Sequence, residues 1–458
     1  MLLLLAALAF SPSRDSAGLG QARPAHSTSI RSVAASSTQA APLVAAADVP
    51  TPKVLRPEVP LQVTAFIFVL GLSLVTLTPT THFISELGQK RGMAVLTAIS
   101  STSAAAEIVI SPILGGLSDA IGRKTVLLLT LATATAVNFA CALSPTLLPV
   151  GASKFVSSIG VGLFFLAGGA ALADNYRDEP KRLAAASGPL FALVNLGFGL
   201  GIALSALLPP GLRVRYGASS VVLGAALATA TCLVRESLPQ SQRVPFRAFK
   251  SFNPFACVRL LCLGRSMRLL ALLAALNVLP LFMGDTLQAF AITHWHLGPR
   301  SVSQLFSYIA VSGVLANMVG GQLVRRFGVQ TFTALSTGSA LLMWLGFASG
   351  NLRAALVCAG LGLLGPARTL GATTMLTSEG ARLGIPQGQL AGDRANLIAW
   401  IKIIGPILYG QAYMAGMAAG VPQAPFFINV IVTLAALGLG PMALAAAKPA
   451  PAVPTRRP

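Results

Sequence analysis

The chain has 458 residues, 54% of them hydrophobic and only 10% charged, with a formal net charge of +20. Soluble domains are roughly a quarter charged, so this composition argues against an ordinary soluble domain and reads as a multi-pass membrane protein. The bases lie between apolar runs and not on one soluble face, which points away from nucleic acid and makes the positive excess a topology signal.

Residues 1–60 differ from the rest. "MLLLLAALAF" is too short to span a bilayer and fits the apolar core of a signal peptide. The stretch after it is rich in Ala, Ser and Arg and poor in acid, the composition of a transit peptide. Together they resemble the two-part plastid leader of algae with complex plastids, which implies a plastid envelope. The alternative is a disordered tail on a protein of the plasma or vacuolar membrane.

From residue 61 the chain becomes a train of apolar segments. They are expected at 61–84, 92–114, 124–143, 147–173, 184–208 and 217–234, then at 269–292, 301–323, 330–349, 353–376, 393–416 and 424–446. Each is near the ~20 residues that a spanning helix needs. The expected fold class is an all-α membrane protein of twelve transmembrane helices in two six-helix halves, 61–234 and 269–446. A central loop at 235–268 joins them and a tail at 447–458 follows. With the start of the first segment on the inner side, nineteen Lys and Arg fall in inward loops and tail and six in outward loops. That is the positive-inside pattern.

A trace of duplication supports two halves. After the second segment stands Gly115-Gly116-Leu117-Ser118-Asp119-Ala120-Ile121-Gly122, and after the eighth Gly321-Gln322-Leu323-Val324-Arg325-Arg326-Phe327-Gly328. Gly, Leu and Gly recur at an offset of 206 residues.

Gly115, Leu117, Ser118, Asp119, Gly122, Arg123 and Lys124 resemble the loop between the second and third helices of the major facilitator superfamily; Ala120 stands where a base is usual. "ESLP" at 236–239 and Asp174 to Arg182 also look like this family, nearest its tetracycline-resistance-like, drug–proton antiporter branch. The resemblance covers about 61–446. It implies alternating access, with the Asp119 loop clasping the start of the eleventh segment near "AGDRANL" (391–397). The alternative is that Asp119 is only a turn residue. Lys154 occupies the place where the family's fourth-helix motif has Arg.

Ionisable groups at membrane depth are functional candidates by default. Glu107 lies eight residues before Gly115, about 12 Å from the inner face at ~1.5 Å per residue. Lys154 and Asp285 lie in the fourth and seventh segments, Arg368 and Lys402 in the tenth and eleventh. Glu107 or Asp285 is the candidate protonation site, with Lys154 as electrostatic partner. A static ion pair or a snorkelling side chain is the alternative. Asn195, Asn277, Gln288, Asn317 and Asn396 are candidates to line a substrate cavity or to join helices. Gly197, Gly199 and Gly201 allow close helix packing. His294-x-His296 is too short for a metal site, and five scattered Cys form no ligand or disulfide pattern. With no catalytic constellation present, the expected function is secondary transport of a small solute. Proton-coupled antiport is the first choice, and uncoupled or proton-symport carriage of a sugar or metabolite the second. A membrane sensor or scaffold is the reading of another class. The expected partners are the solute, protons and the lipid bilayer, with no cofactor and a monomeric state.

Overall fold

The computed structural model describes residues 56, 58–176, 180–209, 211–246, 253–385 and 387–446. All but the last residues of the expected leader, and the tail at 447–458, lie outside them. Helices are the regular structure of the described residues. In hydrocarbon a chain must satisfy its own backbone, and a helix does so within each segment. Polar side chains follow the same rule: Thr64 donates to the Pro60 carbonyl at 2.7 Å, Ser73 to Val69 at 2.7 Å and Thr130 to Val126 at 2.9 Å.

In chain order the helices are α1 (Glu58–Ser73), α2 (Thr78–Ile121), α3 (Arg123–Leu143), α4 (Leu147–Asn175), α5 (Pro180–Leu207) and α6 (Leu212–Leu233). Then come the short α7 (Val258–Cys262), α8 (Arg265–Val278), α9 (Gly284–Thr293), α10 (Pro299–Ala348), α11 (Leu352–Leu361), α12 (Arg368–Arg382), α13 (Gln387–Ala418) and α14 (Ala424–Ala446). Among the described residues eight helices are long and apolar enough to cross a membrane, or nine if the bent α11–α12 pair is one span. Two of the long helices are interrupted: α2 at Gly88, with φ of 74°, and α10 at Gly328, with φ of 80°. Both glycines fall in the gaps between expected segments. Such backbone angles favour glycine because a Cβ there meets the following carbonyl.

Two further breaks fall inside single apolar segments. A short 3-10 turn at Leu279–Phe282 separates α8 from α9, and another at Gly365–Ala367 separates α11 from α12, which bend by 59°. The region expected as a loop at 235–268 also holds structure, namely α7 and a 3-10 turn at Gln240–Gln242.

Helices α1 to α6 pack chiefly on one another, α3 on α6 and α1 on α5 most extensively. Helix α10 likewise packs on α11 and α14, and α8 on α12 and α14. Between the two groups the main contacts are α2 with α13 and α9, and α5 with α10. Gly197 and Gly201 explain how closely α5 approaches α1. A Cβ on Gly197 would lie 2.7 Å from the Phe66 carbonyl oxygen, and one on Gly201 2.6 Å from that of Leu70. Gly199 faces the other way, 3.8 Å from Ala310. Large apolar side chains such as Leu129, Val221, Ile431 and Leu434 stay exposed on the perimeter, where a bilayer solvates them.

Candidate functional site

Between the two helix groups lies a cavity of about 320 Å³, lined from both sides. Its wall is mostly apolar and carries Lys154, Asp285, Arg368, Lys402, Gln288 and Trp344. Two ion pairs cross from one group to the other. Lys154 Nζ of α4 meets Asp285 Oδ1 of α9 at 2.8 Å. Lys402 of α13 pairs with Glu107 of α2. Each pair joins an acid of one helix group to a base of the other. A charge within a membrane is tolerable in this form, because the partner returns part of the lost hydration energy.

The Asp285 carboxylate is the better furnished of the two acids. Thr80 donates to its Oδ1 at 3.2 Å and Ser100 to its Oδ2 at 2.9 Å, both from α2. Asp285 is also the second residue of α9, so the 3-10 turn before it places its carboxylate at a helix N-terminus within the bilayer. Helix α4 is equally adapted around Glu107: a Cβ at Gly162 would touch the Glu107 carboxylate, so glycine makes room for the acid.

Arg368 opens α12 and is 2% exposed. Its Nε donates to the Asn277 carbonyl at 3.0 Å and its Nη1 to the Gly365 carbonyl at 3.0 Å. Of the five polar candidates, only Gln288 lines the cavity. Its amide donates to the Leu77 carbonyl and, at 3.2 Å, to Thr81. Asn277 and Asn317 turn back on their own helices, donating to Leu273 at 3.0 Å and Gly313 at 2.8 Å. Asn195 is half-buried in α5. Asn396 accepts from the Cys257 backbone N–H at 3.1 Å and so ties α13 to the segment before α7.

The Gly115–Lys124 turn closes on its own helix group. Gly122, with φ of 108°, joins α2 to α3. Asp119 pairs with Arg123 at 2.5 Å, and Arg123 Nε also donates to Asp174 at 3.1 Å. The Glu236 carboxylate accepts from the backbone N–H of Arg123 at 2.9 Å and of Lys124 at 3.3 Å. It thus caps the start of α3 from the "ESLP" segment. A Cβ on Gly115 would lie 3.6 Å from Leu166, and Leu117 packs against the core of the first group. The 391–397 segment is engaged elsewhere: Asp393 pairs with Arg259 at 2.5 Å. In this conformation Asp119 and Asp393 therefore face separate partners. In the second motif Leu323 packs on the small core around Phe332, Gly321 and Arg325 are exposed, and Gly328 forms the break.

Nearer the Gly88 end the groups are stitched together directly. Gln89 donates to the Tyr413 hydroxyl at 2.7 Å, and Ser101 to the Ile403 carbonyl at 3.0 Å.

This geometry has known counterparts. The family described as Major Facilitator Superfamily matches residues 61–384. The chain belongs to that superfamily. It is 27% identical over 359 residues to the Hippocampus abundant transcript 1 protein of Homo sapiens, covering 72% of this chain and 68% of that one. It is 27% identical over 327 residues to the Tetracycline resistance protein, class C, of Escherichia coli, covering 68% and 77%. Its fold resembles that of the human organic anion transporter MFSD10 (TETRAN), with a TM-score of 0.61 at 19% identity, covering 85% of this chain and all of that one. A major facilitator chain is a multi-pass membrane carrier of small solutes and not an enzyme.

Sequence reasoning singled out all five charged residues and named Lys154 as partner of Glu107 or Asp285 without deciding between them; it did not name Lys402 as the partner of Glu107, 295 residues away. It missed Thr80 and Ser100. Their only signal is placement near the outer ends of the first and second segments, a feature shared with many helix-facing hydroxyls.

Proposed function

We propose that the chain is a proton-coupled secondary transporter of twelve passes in two halves, 61–234 and 269–446, working by alternating access. The positive-φ breaks at Gly88 and Gly328 support reading α2 and α10 each as parts of two passes. The division of packing between the helix groups supports two halves. The observation that carries proton coupling is the pair of ion bridges across the cavity, Lys154–Asp285 and Glu107–Lys402. If either acid takes a proton its bridge weakens, and because each bridge spans the halves, protonation alters what holds them together. The present conformation is tied at the Gly88 end, while the Asp119 turn and the 391–397 segment do not meet but engage Glu236 and Arg259 of the central stretch. It corresponds to the state open toward the inner side.

Antiport, the sense implied by the resemblance, needs a solute that competes with the proton, as a cation does. Proton symport is a second reading, and the charge balance of the site favours it. Three bases (Lys154, Arg368, Lys402) face two acids (Asp285, Glu107), so protonation makes the site still more welcoming to a negative solute.

The test is solute flux in proteoliposomes under an imposed pH gradient, with solutes of each charge. Asp285→Asn is expected to abolish the gradient's effect, and Glu107→Gln to reduce it by about tenfold, roughly 1.4 kcal/mol. Gradient-driven flux that survives in Asp285→Asn sinks the assignment of Asp285. Flux indifferent to the gradient in the unaltered chain identifies an uncoupled facilitator.

A further inference from the structure

We propose that the cavity takes an organic monoanion, a carboxylate on an apolar body, and that Arg368 is the residue that holds the carboxylate. This rests on the transporter reading above and names the substrate class of the same site.

The argument starts from what Arg368 lacks. Every other cation lining the cavity has a carboxylate partner: Lys154 has Asp285 and Lys402 has Glu107. Arg368 is bonded to two backbone carbonyls, which fix the plane of its guanidinium; that of Asn277, at the C-terminal end of α8, offers a partial negative charge but no full counter-charge. Its Nη2 has no hydrogen-bond partner among the described residues. A guanidinium keeps its proton under all ordinary conditions. A buried, uncompensated cation is among the most unfavourable arrangements a fold can hold. Its presence in a cavity wall is economical only if the cavity's occupant supplies the negative charge.

One further donor of the same cavity is unpaired. Trp344 Nε1 is buried with no partner among the described residues, and Trp344 lines the cavity. An indole N–H donates only. The surplus in the site is therefore of donors and of positive charge together. A cation or a donor-rich neutral solute would leave Arg368 and Trp344 unsatisfied, whereas a carboxylate is an acceptor of the kind both lack. Arg368 is also the first residue of α12, beyond the break at Gly365–Ala367. The N-terminal end of a half-helix at membrane depth adds a further partial positive charge there.

The rest of the wall sets the body and the charge of the solute. Phe198, Phe282, Phe306 and Phe347 offer apolar surface to hydrocarbon or an aromatic ring. About 320 Å³ suits a small organic molecule. One excess base matches one negative charge. A carboxylate brings one, while a phosphate ester brings about −1.5 to −2 at neutral pH. The planar fork of Arg also suits a carboxylate held by paired hydrogen bonds.

The experiment uses the purified full chain and four probes: 2-naphthoate, 2-naphthamide, 2-naphthylmethylammonium and 2-naphthyl phosphate. Binding is read by thermal stabilisation and by tryptophan fluorescence. The expected result is saturable binding of the naphthoate, with the amide, ammonium and phosphate weaker by about tenfold or more. Arg368→Gln should lose naphthoate affinity by at least about tenfold, the scale of a charge-assisted hydrogen bond. Trp344→Phe keeps the ring and removes the donor, and should lose a few-fold; it serves if Arg368→Gln does not fold. Preference for the amide or ammonium, absence of saturable naphthoate binding, or unchanged naphthoate affinity in Arg368→Gln or, where that does not fold, in Trp344→Phe overturns the proposal. Preference for the phosphate overturns the carboxylate assignment. The two readings fail separately. Gradient-driven flux of a cation with naphthoate inert removes the anion and keeps the transporter. Arg368-dependent naphthoate binding without gradient-driven flux keeps the anion site and removes proton coupling.

Discussion

Glu107 owes its position to an absent side chain on a neighbouring helix. The hydrogen of Gly162 faces the Glu107 carboxylate, which in turn meets Lys402 of the other helix group. Gly160, two residues away, faces Thr130 at a relaxed 3.8 Å. The two glycines look alike in the sequence and differ in consequence. Gly162→Ala is expected to push the carboxylate off Lys402 and lower gradient-driven flux by about tenfold, equivalent to roughly 1.4 kcal/mol. Gly160→Ala should transport normally. Flux in proteoliposomes for the two variants checks this, and equal behaviour would mean that the glycine near Glu107 serves packing alone. What was legible at this scale was chemical type: an acid or base in an apolar run is conspicuous, and Glu107, Lys154, Asp285, Arg368 and Lys402 were all visible. Which acid Lys154 meets, and that Lys402 meets the other, was not legible, because depth along a helix says nothing of rotation about it. The same limit explains why Asn277, Asn317 and Asn396, visible as polar residues, proved to serve helices and a loop and not the cavity wall.

Among the elements, the contact of α1 with α5 shows how a glycine pattern becomes geometry. Gly197 and Gly201 lie one turn apart, and both face the α1 backbone. Gly197→Ala and Gly201→Ala each place a methyl group within 2.7 Å of a backbone oxygen that cannot move alone. Each is expected to destabilise by about 1–3 kcal/mol, seen as a lower melting temperature of the purified chain. Gly199→Ala should be nearly neutral. The positions of the apolar segments were legible because hydropathy over ~20 residues is a strong signal. The turns at Gly88 and Gly328 were also legible, since each falls in a gap between segments. The breaks at 279–282 and 365–367 lie within runs that stay apolar throughout. Pro280 and Pro366 were their only marks, and proline is tolerated in membrane helices that do not break. The Asp119 turn and 391–397, joined in a clasp by the resemblance, have separate partners here: Arg123, Asp174 and Glu236 gather around the turn, and Arg259 holds Asp393.

For the whole molecule, the contacts near the Gly88 end must part if the cavity is to open there. A Cβ at Gly410 would lie 3.3 Å from Thr97 Cβ, close to the separation of about 3.5–4.5 Å that a disulfide requires. Thr97→Cys with Gly410→Cys, in a chain whose five native cysteines are replaced, should cross-link on oxidation and stop flux, with recovery on reduction. Flux that continues through the cross-linked protein would rule out alternating access by separation at that end. The unmatched guanidinium in α12 has a consequence for the energy source. With both ion bridges neutral in sum, Arg368 leaves the vacant site with one net positive charge inside the bilayer. A unit charge that crosses the full membrane potential gains or loses about 2.3 kcal/mol per 100 mV. On the proposed reading the vacant carrier is expected to sense voltage as it reorients, while a bound monoanion cancels that charge until a coupled proton restores it. The membrane's own polarity would then bias which side the waiting carrier faces, and so from which compartment it collects its cargo.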